Sequence, residues 1–335
     1  MPTTAGGSVP RNPPDRRPRR AGVALCLVSA VGFGSLAVLG KQAYAGGLGV
    51  VEVLALRFGI AGPLLVALAA ATGRTLRLPR PVALRLLGLG AVGYAVQSTL
   101  FFTALTRIPA GLAGLLLYLY PALVTVGAVI LGRHRLDRAT VAGVALALAG
   151  VVLVLGLPAE PPDPLGVALG LAAACWYTVY ILVAEHLLRG VDPLVASAHV
   201  ACGAACSFLA AAAVLGPGGL AAGRPGGYAA AAAMAVLGTA VALGTFIAGI
   251  ARVGSTWASI VSSFEPVCTV ALGVVVLGDP LGVGTVVGGV AVVAGAMLLP
   301  LLGGGQEAVG FVDAAASPVV SSKLKDVPRR GSTRR

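Results

Sequence analysis

The chain is a succession of apolar stretches of about 20 residues separated by short polar breaks, and that layout leaves few folds open. About 20 apolar residues in a helix span a hydrocarbon core of about 30 Å. With no water inside the bilayer, backbone N–H and C=O groups must be satisfied within the segment, which selects helices. Composition agrees, because 57% of the 335 residues are apolar, only 11% are charged, and mean hydropathy is +0.94. Soluble domains carry about 25% charged residues. The expectation is an all-α integral membrane protein, with lipid as an unavoidable partner.

Ten spans are expected near 21–42, 50–72, 84–106, 109–131, 138–157, 165–187, 193–215, 228–251, 254–277 and 281–302. Residues 1–20 and 303–335 are rich in Pro, Gly, Ser and charge and read as disordered tails. An Arg-rich start before an apolar run resembles a signal peptide. The run Ala21–Leu39 exceeds a signal core in length and is read as a retained first helix.

An even number of spans puts both termini on one side. Twenty of the 24 Lys/Arg then fall on that side, against Lys41, Arg107 and Arg224 on the other, with Arg57 inside a span. The positive-inside rule makes that side cytoplasmic and places the chain in the cytoplasmic membrane. The net charge of +12 is thus read as an orientation signal and an attraction to lipid head groups, not as nucleic-acid binding. Cys26, Cys175, Cys202, Cys206 and Cys268 all lie in apolar segments without metal or redox spacing and read as small hydrophobes.

The segment Gly93–Pro121 lies over Gly238–Pro266 at a constant offset, matching Ala95, Val96, Phe101, Arg107 and Ala113 with Ala240, Val241, Phe246, Arg252 and Ala258. The match resumes where Leu136, Thr140, Gly143 and Gly150 recur as Leu281, Thr285, Gly288 and Gly295. Two five-helix halves follow, 21–157 and 165–302. An odd number of spans per half inverts the second half in the membrane. Inverted repeats are typical of alternating-access carriers with a midplane site between the halves.

The residues Phe101-Phe102-Thr103-Ala104-Leu105, Pro109 to Ala113, Tyr120-Pro121 and Leu131-Gly132, with Ser255 to Ser263, Glu265-Pro266 and Leu277-Gly278-Asp279, carry a resemblance. The chain resembles the EamA family of the drug/metabolite transporter superfamily across both halves. That resemblance implies a central cavity lined by the first four helices of each half, a peripheral fifth helix, and export of amino acids, other metabolites or drugs. Three positions depart from the family pattern. Phe33 stands where the first helix usually has Trp, with Trp176 as its repeat counterpart. Arg133-His134 replace an acidic residue, and Asp279 replaces Glu.

Candidate functional groups are polar residues placed where lipid would exclude them. Glu265 lies about halfway along its span, where a carboxylate costs about 2.5–3.5 kcal/mol and should face a cavity or partner. It could exchange a proton as a coupling group, or serve structurally beside Pro266. Arg57, about seven residues inside its span, requires an anion, Glu265, Glu52 or a substrate carboxylate, unless it snorkels outward. His199 occupies roughly the corresponding place in the seventh span. Tyr120, the repeat mate of Glu265, needs a partner for its hydroxyl near the midplane. Tyr118 and Trp176 complete the candidate lining, whereas Trp257 lies near a span end and reads as an interfacial anchor. Pro121 and Pro266 would each leave a carbonyl without its donor, at Leu117 and Ser262, and permit a bend. Gly284 and Gly288 form a close-packing pair.

No HExxH motif, acidic metal cluster or activated nucleophile is present in the sequence, which argues against a membrane enzyme, and no cofactor or metal is expected. The favoured reading is a carrier of a small polar metabolite, an amino acid or similar zwitterion, with protons as coupling ion. A multidrug or cation exporter is the alternative, followed by a channel or assembly protein. The oligomeric state stays open, a homodimer being one option.

Overall fold

The computed structural model describes residues 16–132, 138–156, 161–216 and 218–302, and every regular element among them is helical. In chain order the apolar helices are α1 (Arg20–Ala45), α2 (Val50–Ala71), α3 (Arg80–Ala104), α4 (Ala110–Ile130), α5 (Arg138–Gly156), α6 (Pro164–Leu187), α7 (Pro193–Leu215), α8 (Pro225–Val253), α9 (Trp257–Leu277) and α10 (Val283–Leu302). Eight are long and apolar enough to cross a membrane. In α5 and α10 the apolar stretches are the shorter Thr140–Leu155 and Val283–Leu298.

Each expected span coincides with a helix to within a few residues. The helix containing α1 begins at Arg16, so the last residues of the expected tail are helical. Pro18 falls in its first turn, where a missing N–H leaves no hydrogen bond unmade. Residues 1–15 and 303–335, together with Arg133, His134, Arg135 and Glu160, lie outside the described residues.

Helix starts are written in the sequence. Asp163-Pro164 and Asp192-Pro193 open α6 and α7, each proline supplying a preset φ at a position needing no donor. Asp163 accepts from the Leu165 and Gly166 N–H groups at 2.8 and 3.0 Å, and Asp192 from Leu194 and Val195 at 2.9 and 3.2 Å. The same carboxylates tie the helix starts to neighbouring loops, through Arg107 on Asp163 at 3.1 Å and Arg74 on Asp192 at 2.8 Å.

Packing follows the repeat. Helix α1 packs on α8 and α3 on α6, while α2, α4 and α5 pack on their own counterparts α7, α9 and α10. At the α5–α10 crossing a Cβ on Gly150 would stand 2.6 Å from the Gly288 carbonyl oxygen, and one on Gly288 2.5 Å from that of Gly150. One on Gly295 would stand 2.6 Å from the carbonyl of Gly143. Because Gly143 and Gly150 are the repeat mates of Gly288 and Gly295, the contact is self-complementary in the manner of a two-fold axis. Small residues let the two backbones touch, where dispersion replaces a hydrophobic driving force. Away from such seams the surface is apolar, with Val214 87%, Val275 82% and Ile130 79% exposed. Water would not tolerate this coat and lipid would, so the chain is a multi-pass membrane protein.

Candidate functional site

Two kinds of local irregularity, each present in both halves, shape the centre of the bundle. Helix α4 is interrupted at Tyr118-Leu119, between Ala110–Leu117 and Tyr120–Ile130, and α9 at Ser263-Phe264, between Ser255–Ser262 and Glu265–Leu272. At each break the ladder tightens, Leu119 N bonding Leu116 O at 3.3 Å and Phe264 N bonding Val261 O at 3.1 Å. Pro121 and Pro266 follow immediately and cannot donate to the carbonyls of Leu117 and Ser262. Helices α3 and α8 instead widen into π-turns, at Leu89–Tyr94 and Val236–Val241. Such turns leave carbonyls for other donors. Ser207 Oγ takes that of Ala91 at 2.8 Å, and Trp176 Nε1 takes that of Gly93 at 2.8 Å.

Around these irregularities lies a cavity of about 310 Å³, at the small end of the range for small-molecule sites. Glu265, Tyr120, Tyr118, Arg57, Pro121 and Pro266 all line it. Glu265 begins the second segment of α9, and its repeat mate Tyr120 begins that of α4. Tyr120 meets Tyr118 edge-on at 5.8 Å and Tyr177 at 4.9 Å between ring centroids. From Tyr177 the ring contacts continue through Tyr180 at 5.7 Å and Tyr94 at 5.5 Å to Phe58 at 5.5 Å. This aromatic ladder joins the neighbourhood of Glu265 to that of Arg57. Ser259, Ser262, Ser263 and Thr269 of α9 and Thr239 of α8 line the same space.

Arg57 is 2% exposed and does not snorkel. Its guanidinium lies 4.8 Å from the Phe58 ring centroid and 5.5 Å from that of Phe102, within cation–π range. Its Nε donates to Thr239 Oγ1 at 3.1 Å, and its Nη2 has no hydrogen-bond partner among the described residues. Glu52, one of the anions considered for it, lies instead against Gly49 and Gly219 at the start of α2. Among the described residues the Tyr94 hydroxyl also interacts with this guanidinium, and no carboxylate lies within salt-bridge distance of it.

Two sequence candidates fall outside the cavity lining. Trp176 is spent on the Gly93 carbonyl of the α3 π-turn, whereas Phe33, the position it mirrors, does line the cavity. His199 Nδ1 pairs with the Val195 carbonyl at 2.8 Å on its own helix. Sequence reasoning missed Thr239, Tyr94, Phe58 and Phe102. The repeat carried a signal for the first two, because Tyr94 and Thr239 are mates that directly follow the matched pair Gly93 and Gly238.

Away from the cavity, Asp279 of the α9–α10 turn accepts from the Ala110 and Gly111 N–H groups at 2.8 and 3.4 Å, closing the start of α4 from the other half. Asp163 is held below the usual carboxylate range by the Gly166 N–H and, with it, by the Arg107 guanidinium and the Leu165 N–H.

The EamA-like transporter family matches the chain twice, over residues 20–156 and 164–300. A stretch of 166 residues, 46% of this chain, is 34% identical to the aromatic amino acid exporter YddG of Ancylobacter novellus and spans 56% of that relative's length. A solved crystal structure covering 85% of this chain, and itself 98% covered, superposes with a TM-score of 0.62 at 24% identity, a likeness of fold.

Proposed function

Given that the chain belongs to the EamA-like transporter family, we propose that it exports a zwitterionic metabolite, an amino acid, by proton-coupled alternating access. In this reading ten spans in two inverted five-helix halves cross the cytoplasmic membrane with both termini inside. The observation that carries the substrate class is Arg57, a buried guanidinium with Nη2 unpartnered in the described residues, lining the same cavity as Glu265. A carboxylate on Arg57 and an ammonium on Glu265 would pair both groups at once. A purely apolar ligand would leave both desolvated and unpaired, at a cost of several kcal/mol.

The aromatic ladder between the two groups favours a substrate with a ring to stack, and a relative exports aromatic amino acids. Glu265 is the natural coupling group, because a carboxylate in a low-dielectric cavity can exchange its charge for a proton or for a cationic group as access alternates. The interruptions in α4 and α9 give each half a hinge beside the site.

A second reading, export of planar cationic drugs, draws on the same ladder and on Glu265 while leaving Arg57 without a role. Growth of expressing cells against toxic amino-acid analogues, cationic dyes and nucleobases separates the two. Resistance to aromatic amino-acid analogues that disappears in Arg57→Ala is expected. Resistance to dyes alone, unaffected by Arg57→Ala, would replace the zwitterion reading with multidrug export.

A further inference from the structure

The hydroxyl that accepts the hydrogen bond of Arg57 Nε is unusual. Thr239 lies in the α8 π-turn and its Oγ1 donates to the Met234 carbonyl at 3.1 Å, five residues back. Thr99, Thr125, Thr178 and Thr269, in other helices, each reach the carbonyl four residues back instead, at 2.8 to 3.1 Å. With its proton committed to Met234, the hydroxyl has lone pairs left, and one accepts from Arg57 Nε. The guanidinium fork is planar and rigid, so fixing Nε against Thr239 also fixes the direction in which Nη2 points.

The matching π-turn of α3 reaches the same arginine. Its last residue, Tyr94, stands edge-on to Phe58, whose ring lies under the guanidinium. Tyr94 and Thr239 are repeat mates, so matched distortions of both halves converge on one buried cation. In α3 the carbonyls of the π-turn are held by side chains of α6 and α7. In α8 the Met234 carbonyl is held by Thr239, which Arg57 grips in turn. Rewinding the α8 turn to ordinary α geometry would carry Thr239 around the helix and release Nε.

We propose that Thr239 is a positioning residue for anion recognition, holding Arg57 so that Nη2 is presented to a carboxylate in the cavity. This rests on the reading of Arg57 as the carboxylate site. A valine keeps the shape of threonine and removes the hydroxyl; a serine keeps the hydroxyl.

The test is radiolabelled uptake into proteoliposomes with two probes, L-phenylalanine and phenethylamine, which differ by the carboxylate. Thr239→Val is expected to raise KM for L-phenylalanine about tenfold or more, the loss typical of a hydrogen bond to a buried charge, with maximal rate little changed. Phenethylamine kinetics should not move, and Thr239→Ser should restore the wild-type KM. Equal KM in Thr239→Val and wild type, or parallel losses for both probes, would overturn the inference. If the valine variant fails to insert, Thr239→Ala compared with Thr239→Ser serves in its place. Arg57→Ala is the separate control. Loss of L-phenylalanine selectivity there with no effect of Thr239→Val sinks only the positioning role, whereas no effect of Arg57→Ala sinks the carboxylate site and this inference with it.

Discussion

Arg57→Met separates what a buried charge does for stability from what it does for binding. Among the described residues the guanidinium donates to Thr239 Oγ1, worth about 1.5–3 kcal/mol, makes two ring contacts of about 0.5–2 kcal/mol each, and also interacts with the Tyr94 hydroxyl. Against these stands the burial of a charge 2% exposed with one nitrogen unpartnered, an effective penalty of several kcal/mol. Methionine fills similar space without polar atoms, and Thr239 keeps its bond to the Met234 carbonyl. The empty variant should therefore be as stable as wild type or about 1–4 kcal/mol more so, as found when buried ionic groups are replaced by well-packed apolar ones. Binding moves the other way. Losing a charge-assisted contact of about 3 kcal/mol weakens Kd about 100-fold. At ligand concentrations 100 times the wild-type Kd, ligand stabilisation falls from about 2.7 kcal/mol to about 0.4 kcal/mol. Thermal unfolding in detergent, with and without L-phenylalanine, reads both effects. A variant markedly less stable when empty, yet still stabilised fully by ligand, would refute the account of Arg57 as an unpaired cation awaiting a carboxylate.

Glu265→Gln is expected to insert and fold but to lose uphill transport driven by a pH gradient, since an amide cannot cycle between charge states; retained uphill transport at normal expression removes Glu265 as the coupling group. Gly150→Leu and Gly288→Leu should each destabilise by about 1–3 kcal/mol in thermal melts, because a Cβ at either position would stand 2.6 or 2.5 Å from the partner carbonyl oxygen. Asp163 is held below its ordinary value of 3.8, so its contribution is present above that pH and lost only as pH falls through the lower folded value. The melting-temperature gap between wild type and Asp163→Asn should accordingly stay constant near neutrality and close only in strong acid. Reporter fusions after Arg80, Arg138, Arg189 and the C-terminal tail should read cytoplasmic and one near Glu160 external; agreement of Arg138 and Glu160 on one side contradicts the ten-span arrangement and the inversion of the halves.

Helix positions were legible because a bilayer imposes length and apolarity on every span, and the repeat was legible because Gly, Pro and Phe recur at a fixed offset. Depth was readable too. Glu265, Tyr120 and Arg57 stood out as polar groups far from span ends, and all three line the cavity. Azimuth was not. His199 and Trp176 lie well inside the unbroken helices α7 and α6, but His199 turns back to the Val195 carbonyl and Trp176 to the Gly93 carbonyl of the α3 π-turn, and nothing in composition announces such a turn. Thr239 escaped notice for the same reason. In a regular helix it would be one more threonine bonded four residues back, and its role arises only from the extra residue in its turn.

The measurement that bears most directly on the whole account is counterflow in proteoliposomes holding the purified wild-type chain. Vesicles preloaded with unlabelled L-phenylalanine and diluted into trace label should accumulate it transiently and saturably, and preloading with phenethylamine should support far less exchange. Label that only equilibrates, at a rate linear in concentration and indifferent to preloading, would mean a channel or no transport at all and would contradict the carrier reading.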